Sequence, residues 1–195
     1  MEMDESAVST VSIHHPYFKN FLLYSLMNFT IGILDFLGLL IPYYEAIEPQ
    51  DSSYYSNIIF AQSVGYFLGC FSSKYLEAYF TFHKIAAFGG TTLMVSLIGF
   101  TSTSTLVFRT IFFFFTGLGN SYINIYPIKL CLECFKGPSL NRWIQLLELF
   151  VTIGQLSSSL IVFILGIYTP LFVGFVGLMI AFISLKIPSP ENRRK

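Results

Sequence analysis

Three charged residues, Asp35, Arg109 and Glu148, lie within long apolar stretches of this 195-residue chain. A charge inside a membrane is costly, and it normally faces protein or a water-filled cavity where it pairs, relays protons or binds substrate. Antiparallel threading of their stretches puts Asp35 and Arg109 at similar depth. We expect them to form an ion pair that either fixes helix register or acts as a relay. Glu148 has no obvious partner and is a second candidate for proton binding.

Neutral polar residues accompany these charges at the spacing of a single helix face. The positions are Asn141, Gln145, Glu148, Thr152, Gln155 and Ser159 in one stretch, Arg109, Thr116, Asn120 and Asn124 in a second, Tyr24, Asn28 and Asp35 in a third, and Gln62 and Tyr66 in a fourth. We expect the four faces to bound a polar cavity, in which Asn120, Asn124, Gln145 and Gln155 would suit a small hydroxylated solute such as a sugar. The alternative is that these groups only form the hydrogen bonds that hold helices together.

The composition indicates which elements position these residues. Hydrophobic residues make up 54% of the chain and charged residues 11%, against roughly 25% charged residues in soluble domains. Apolar runs near the length of about 20 residues that crosses a bilayer occur at 18–43, 55–73, 83–101, 105–128, 142–167 and 170–187. The sequence predicts an all-α membrane protein, a six-helix transmembrane bundle between a polar tail at 1–17 and a basic tail at 188–195.

The basic residues orient this bundle, because Lys and Arg in loops resist translocation. If the spans alternate, all basic residues except Arg109 fall on one side. They are Lys19, Lys74, Lys84, Lys129, Lys136, Arg142, Lys186, Arg193, Arg194 and Lys195. We therefore expect both termini in the cytoplasm. The plasma membrane is the expected location and an organelle membrane is the alternative.

Several classes of site are not expected. Cys131 and Cys134 have CxxC spacing, but no second Cys or His pair follows, as a zinc site would need. His83 lies in a basic loop and His14 and His15 in the polar tail, without partners at ligand spacing. No nucleophile elbow, phosphate loop or HExxH motif is present. We expect no enzymatic activity, cofactor, metal or nucleic acid, and a net charge of +0 is consistent with the last point.

Two short motifs carry a resemblance to a known family. Gly69-Cys70-Phe71-Ser72-Ser73-Lys74, with His83-Lys84 further on, is similar to the cytoplasmic loop motif Gly-x-x-x-Asp-Arg/Lys of the major facilitator superfamily, although Ser73 stands where the family has Asp. Gly117-Leu118-Gly119-Asn120 after Arg109 is similar to the family's Arg followed by a Gly-x-Gly run. Those transporters also place helices one, two, four and five around the cavity, the helices that carry polar faces here. The chain resembles the amino-terminal half of such a transporter.

Further features resemble one branch of that superfamily. Pro127 near the end of the fourth span and Gly154-Gln155 in the fifth are similar to the fucose-permease and sodium-dependent glucose transporter branch. An acid in the first helix and an Arg in the fourth, Asp35 and Arg109, resemble the pair of proton-coupled sugar porters.

The resemblance implies secondary active transport of a small polar solute by alternating access, with proton symport as one form. Its substrate and coupling residues would be Asn28, Asp35, Gln62, Arg109, Asn120, Asn124, Gln145, Glu148 and Gln155, and its cytoplasmic gating loop would hold Gly69, Ser73 and Lys74. The partners would be the lipid bilayer, the solute and a second six-helix half. That half would belong either to a longer chain, which we favour, or to a second copy. The alternative function is a non-transporting membrane protein, such as a truncated transporter or an assembly partner.

Overall fold

The computed structural model describes residues 18–34, 36–49, 52–134 and 139–187. Within these ranges the chain is helical and contains no β-strand, so the predicted all-α class is confirmed. The helices are α1 (Phe18–Ile33), α2 (Phe36–Ile47), α3 (Ser52–Leu76), α4 (Phe82–Ser102), α5 (Leu106–Asn124), α6 (Tyr126–Cys134), α7 (Ser139–Leu165) and α8 (Thr169–Lys186), with a 3-10 turn at Gly166–Tyr168 before α8.

Two predicted spans are divided in the structure. The stretch 18–43 is shared by α1 and α2, because α1 ends at Ile33. The stretch 105–128 is shared by α5 and α6, which meet at Ile125. Pro127 therefore lies in the first turn of α6, where its missing N–H removes no helical hydrogen bond.

Three helical segments of the described chain are long and apolar enough to cross a membrane: Phe82–Ser102, Leu106–Lys129 and Leu140–Lys186. Large apolar side chains also lie on the outside of the helices. The most exposed Phe residues are Phe60, Phe67, Phe71, Phe163, Phe175 and Phe182. Apolar surface on this scale indicates contact with lipid or with another protein.

The long helices run in alternating directions. In the pair α4–α5, Gly89 faces Gly119 while Ser96 bonds Thr116, so the two helices are antiparallel. The contacts around the other glycines likewise show that α4 is antiparallel to α8, that α3 is parallel to α5, and that α1 is parallel to α7. The helices α3, α5, α4 and α8 form a continuous row, and α1 with α7 is a separate pair that makes smaller contacts with this row.

Glycines lie at the centre of each main helix pair. The facing pairs are Gly32 and Gly154 in α1–α7, Gly89 and Gly119 in α4–α5, and Gly90 and Gly177 in α4–α8, whereas in α3–α5 Gly65 and Gly117 each meet the backbone of the other helix. A Cβ at Gly117 would overlap the carbonyl oxygen of Gln62, and one at Gly32 would overlap that of Val151. Small residues allow this approach of one backbone to another, and such packing drives helix association in lipid.

We predict that Gly117→Ala lowers the free energy of unfolding by about 1–3 kcal/mol, the usual cost of overpacking. The added methyl group would meet the backbone of α3, which cannot move aside like a side chain. Gly174→Ala is the matched control, because its new Cβ would lie 3.4 Å from the Cα of Met94, an ordinary contact. Denaturant titration in detergent, followed by circular dichroism, measures the difference. Equal stability of the two variants would contradict the close approach of α3 and α5.

Candidate functional site

Arg109 is the centre of a buried polar cluster at one end of the helices. Its side chain is 5% exposed, and its Nη1 and Nη2 donate to the two carboxylate oxygens of Glu48 at 2.7 and 3.2 Å. Nη1 also donates to the hydroxyl of Tyr54 at 3.1 Å, and Nε donates to the carbonyl oxygen of Thr103 at 2.7 Å. This cluster connects the segment after α2, the first turn of α3, the segment after α4 and the first turn of α5.

Aromatic rings enclose the guanidinium group. The centres of the Tyr44 and Phe100 rings lie 5.5 and 5.6 Å from Cζ of Arg109, which is the range of cation–π attraction. Tyr44 lies beyond the predicted first span, and burial raises the pKa of its phenol to about 12, although the charge of Arg109 opposes this shift. Glu48 remains 33% exposed on its side chain. We call Arg109, Glu48, Tyr44, Tyr54 and Phe100 the outer cluster.

Arg109 has a carboxylate partner that the sequence analysis did not name. The expected partner, Asp35, lies outside the described residues, so that pairing stays a prediction, and the described carboxylate on the guanidinium is that of Glu48. Glu48 is within reach because Arg109 lies in the first turn of α5 and its long side chain extends to the end of the helices. The acidic segment after α2 was the feature of the sequence that could have indicated this contact, because it follows the outer end of the same predicted span.

Most predicted cavity residues in α1, α3 and α5 form hydrogen bonds or are partly buried. Asn28 donates to the carbonyl oxygen of Leu147 at 3.0 Å, and Asn124 donates to the hydroxyl of Tyr66 at 2.9 Å. Gln62 is half-buried. The Oδ1 atom of Asn120 is buried and has no hydrogen-bond partner among the described residues. The open grooves of about 620 Å³ between α3 and α5 and about 320 Å³ between α4 and α5 include none of the predicted cavity residues.

The predicted polar face of α7 is exposed along its whole length. All of its members lie at the surface: Asn141, Gln145, Glu148, Thr152, Gln155 and Ser159. Gln145 and Glu148 form no ion pair and no side-chain hydrogen bond with the described residues. Gln155 does interact non-covalently with another group. We call this set the α7 polar stripe.

The residues of the predicted gating loop belong to α3. Gly69 packs against Ser121 and the backbone of Leu118 in α5. The hydroxyl of Ser73 is buried and donates to the carbonyl oxygen of Cys70 at 2.7 Å, within the same helix. Lys74 is exposed in the last turn.

His83 is a residue whose environment the sequence analysis missed. We placed it in a basic loop, but it is 3% exposed in the first turn of α4. Its Nε2 lies 3.3 Å from the hydroxyl of Tyr24, which accepts a hydrogen bond from Asn20, and its Nδ1 lies 2.9 Å from the carbonyl oxygen of Ile187. His83 therefore links α1, α4 and the end of α8. No group of residues suited to a metal ion is found in the described part of the chain.

Comparison with known proteins adds no assignment, since no known family, curated protein sequence or solved structure matches this chain.

The two ion pairs of the described residues offer a matched test of the outer cluster. We predict that Glu48→Gln lowers the free energy of unfolding by about 1.5–3 kcal/mol, the usual contribution of hydrogen bonds to a charged group. Glu77→Gln removes the partner of Lys129, whose side chain is 47% exposed, and is expected to cost only about 0.2–1 kcal/mol. Denaturant titration in detergent measures both. Equal losses would show that burial of Arg109 adds nothing to its pair.

Proposed function

We propose that this chain crosses the membrane six times with both termini in the cytoplasm, and that it forms half of a secondary transporter for a small polar solute. A second six-helix half supplies the other wall of the pathway. The α7 polar stripe carries this proposal, because it is the long polar face that the described helices leave exposed.

The distribution of charge supports six crossings. With α1, α3, α4, α5, α7 and α8 alternating in direction, the described basic residues other than Arg109 lie at one common end. These are Lys19, Lys74, Lys84, Lys129, Arg142 and Lys186. The opposite end carries Glu45 and Glu48 and no basic loop residue among those described. Basic residues of this kind stay on the cytoplasmic side.

Helix α7 has three distinct faces. The face packed on α1 contains Trp143, Leu147, Gly154 and Ser158, which are buried. The second face is the α7 polar stripe. The third is apolar and exposed, with Ile153, Leu160 and Ile164. A helix in lipid alone needs only the third kind of exposed surface, so the polar face requires water or protein beside it.

This arrangement supports a solute pathway better than a purely structural role. The α7 polar stripe offers amide, hydroxyl and carboxylate groups along the full length of α7, which suits successive hydrogen bonds to a hydroxylated molecule. Facing it with a second six-helix half would place the solute between the halves near the middle of the membrane. Glu148 would then be shielded from bulk water and able to couple proton binding to transport.

The alternative, a membrane protein that does not transport, has its own supporting observation. Asn28, Thr116 and Asn124 hydrogen-bond other helices, and such bonds only hold the helices together. If the α7 polar stripe also bonds a partner along its whole length, no aqueous pathway remains.

Cysteine labelling separates the two functions. We predict that single cysteines at Gln145, Thr152 and Ser159, in a chain otherwise free of cysteine, react in native membranes with a water-soluble charged maleimide. The reactive thiolate forms only where water has access. Matched cysteines at Ile153, Leu160 and Ile164, on the apolar face of the same helix, should stay unlabelled. Protection of both sets would favour a sealed protein contact, and labelling of both would place α7 outside the membrane.

Transport assays test the role of Glu148. We predict that Glu148→Gln abolishes solute accumulation driven by a proton gradient in proteoliposomes of the native assembly, because the amide cannot bind and release a proton. Equilibrium exchange of the solute should persist, since the hydrogen-bonding groups remain. Glu45→Gln, an exposed carboxylate outside the α7 polar stripe, is the control. Loss of accumulation in both variants, or in neither, would contradict the assignment of Glu148.

A further inference from the structure

An apolar groove lies where α3 turns into α4. It has a volume of about 290 Å³ and is lined by Leu76, Phe80, Lys84, Ile85 and Phe88. Phe80 and Phe88 are 50% and 56% exposed, so the groove is open to the surroundings of the bundle. Lys84 is its one charged wall residue.

The charge of Lys84 is not neutralised by the described residues. Lys84 is exposed and belongs to neither of the ion pairs in the described chain. The acid in the adjoining turn, Glu77, binds the ammonium group of Lys129 at 2.7 Å. An apolar slot with an unneutralised ammonium group beside it matches a molecule that has a hydrocarbon tail and an anionic head.

Two tyrosines indicate the depth of the groove. Tyr75 and Tyr79 directly precede the lining residues Leu76 and Phe80 in sequence and are 75% and 83% exposed. Tyrosine in such positions is typical of the membrane–water interface, where the ring meets hydrocarbon and the hydroxyl meets headgroups. The groove also lies at the basic end of the helices. Its position matches the level of phosphates and upper acyl chains in the cytoplasmic leaflet.

We infer that this groove binds an anionic phospholipid of the cytoplasmic leaflet. One acyl chain lies between Leu76, Phe80 and Phe88, and the phosphate group pairs with the ammonium group of Lys84. Basic pockets between helices on the cytoplasmic side are a known mode of lipid headgroup recognition. The inference rests on the membrane topology proposed above and is independent of transport.

Quenching of a tryptophan in the groove tests this inference. The reporter is Phe80→Trp in a Trp143→Phe background, which leaves one tryptophan in the chain. The protein is placed in nanodiscs that contain both phosphatidylglycerol and phosphatidylcholine. The brominated acyl chains are carried by one of the two lipids at a time. We expect brominated phosphatidylglycerol to compete for the groove about fivefold better, the factor that one lysine near an anionic surface contributes.

Lysine variants identify the source of this preference. Lys84→Gln should reduce the preference to about one, and Lys84→Arg should retain it because the charge is kept. Lys74→Gln, an exposed lysine outside the groove lining, is the matched control and should leave the preference unchanged. Retention of the preference in Lys84→Gln, or its loss in Lys74→Gln as well, would overturn the assignment.

The remaining outcomes separate this inference from the topology. Equal quenching by both lipids means that the groove faces lipid without selecting the headgroup, which overturns the inference and leaves the topology standing. No quenching by either lipid means that a protein or water covers the groove, which overturns the inference without bearing on the number of crossings.

Discussion

Contact between helix backbones at glycine is the constraint on which the rest of the structure depends. Two apolar helices gain little from meeting in lipid, because lipid tails are as apolar as their side chains. What holds them is close packing, and a Cβ at Gly65, Gly90 or Gly154 would collide with the facing backbone. Each main helix pair therefore depends on a position where no side chain is tolerated. The hydrogen bonds of Asn28 and Asn124 form because these contacts bring their partners within reach.

The two ends of the helices are closed in different ways. At one end Arg109 brings together segments next to α2, α3, α4 and α5 through a carboxylate, a hydroxyl and a carbonyl group. At the other end His83, whose imidazole ring can be neutral, joins α1 to α4 and to the end of α8. The charged connection lies at the end that carries Glu45 and Glu48 and no basic loop residue among those described, whereas the imidazole lies at the end with the lysines. The second arrangement avoids adding a permanent buried charge to an already positive end.

Sequence reasoning succeeded where one helix decides the outcome. The periodicity of Gln145, Thr152 and Ser159 predicts a shared face, and the structure places them together on the surface of α7. Helix class was also readable, because backbone groups in an apolar setting must satisfy one another internally. Sequence reasoning failed where two distant segments decide. The burial of His83 depends on Tyr24 and Ile187, and the contact of Glu48 with Arg109 depends on how far a flexible side chain reaches. No spacing rule contains that information.

The pairing of α1 with α7 has a consequence for how the chain is made. The amide of Asn28 bonds the carbonyl of Leu147, 119 residues later in the sequence. A ribosome that adds about 5–20 residues per second takes roughly 6–24 s to cover that distance. During this time α1 is complete, but α7, which packs against Gly32 and Asn28, has not yet been synthesised. The α1–α7 contact can therefore form only after α7 has been synthesised, so the close packing at Gly32 is one of the later events in the folding of these helices.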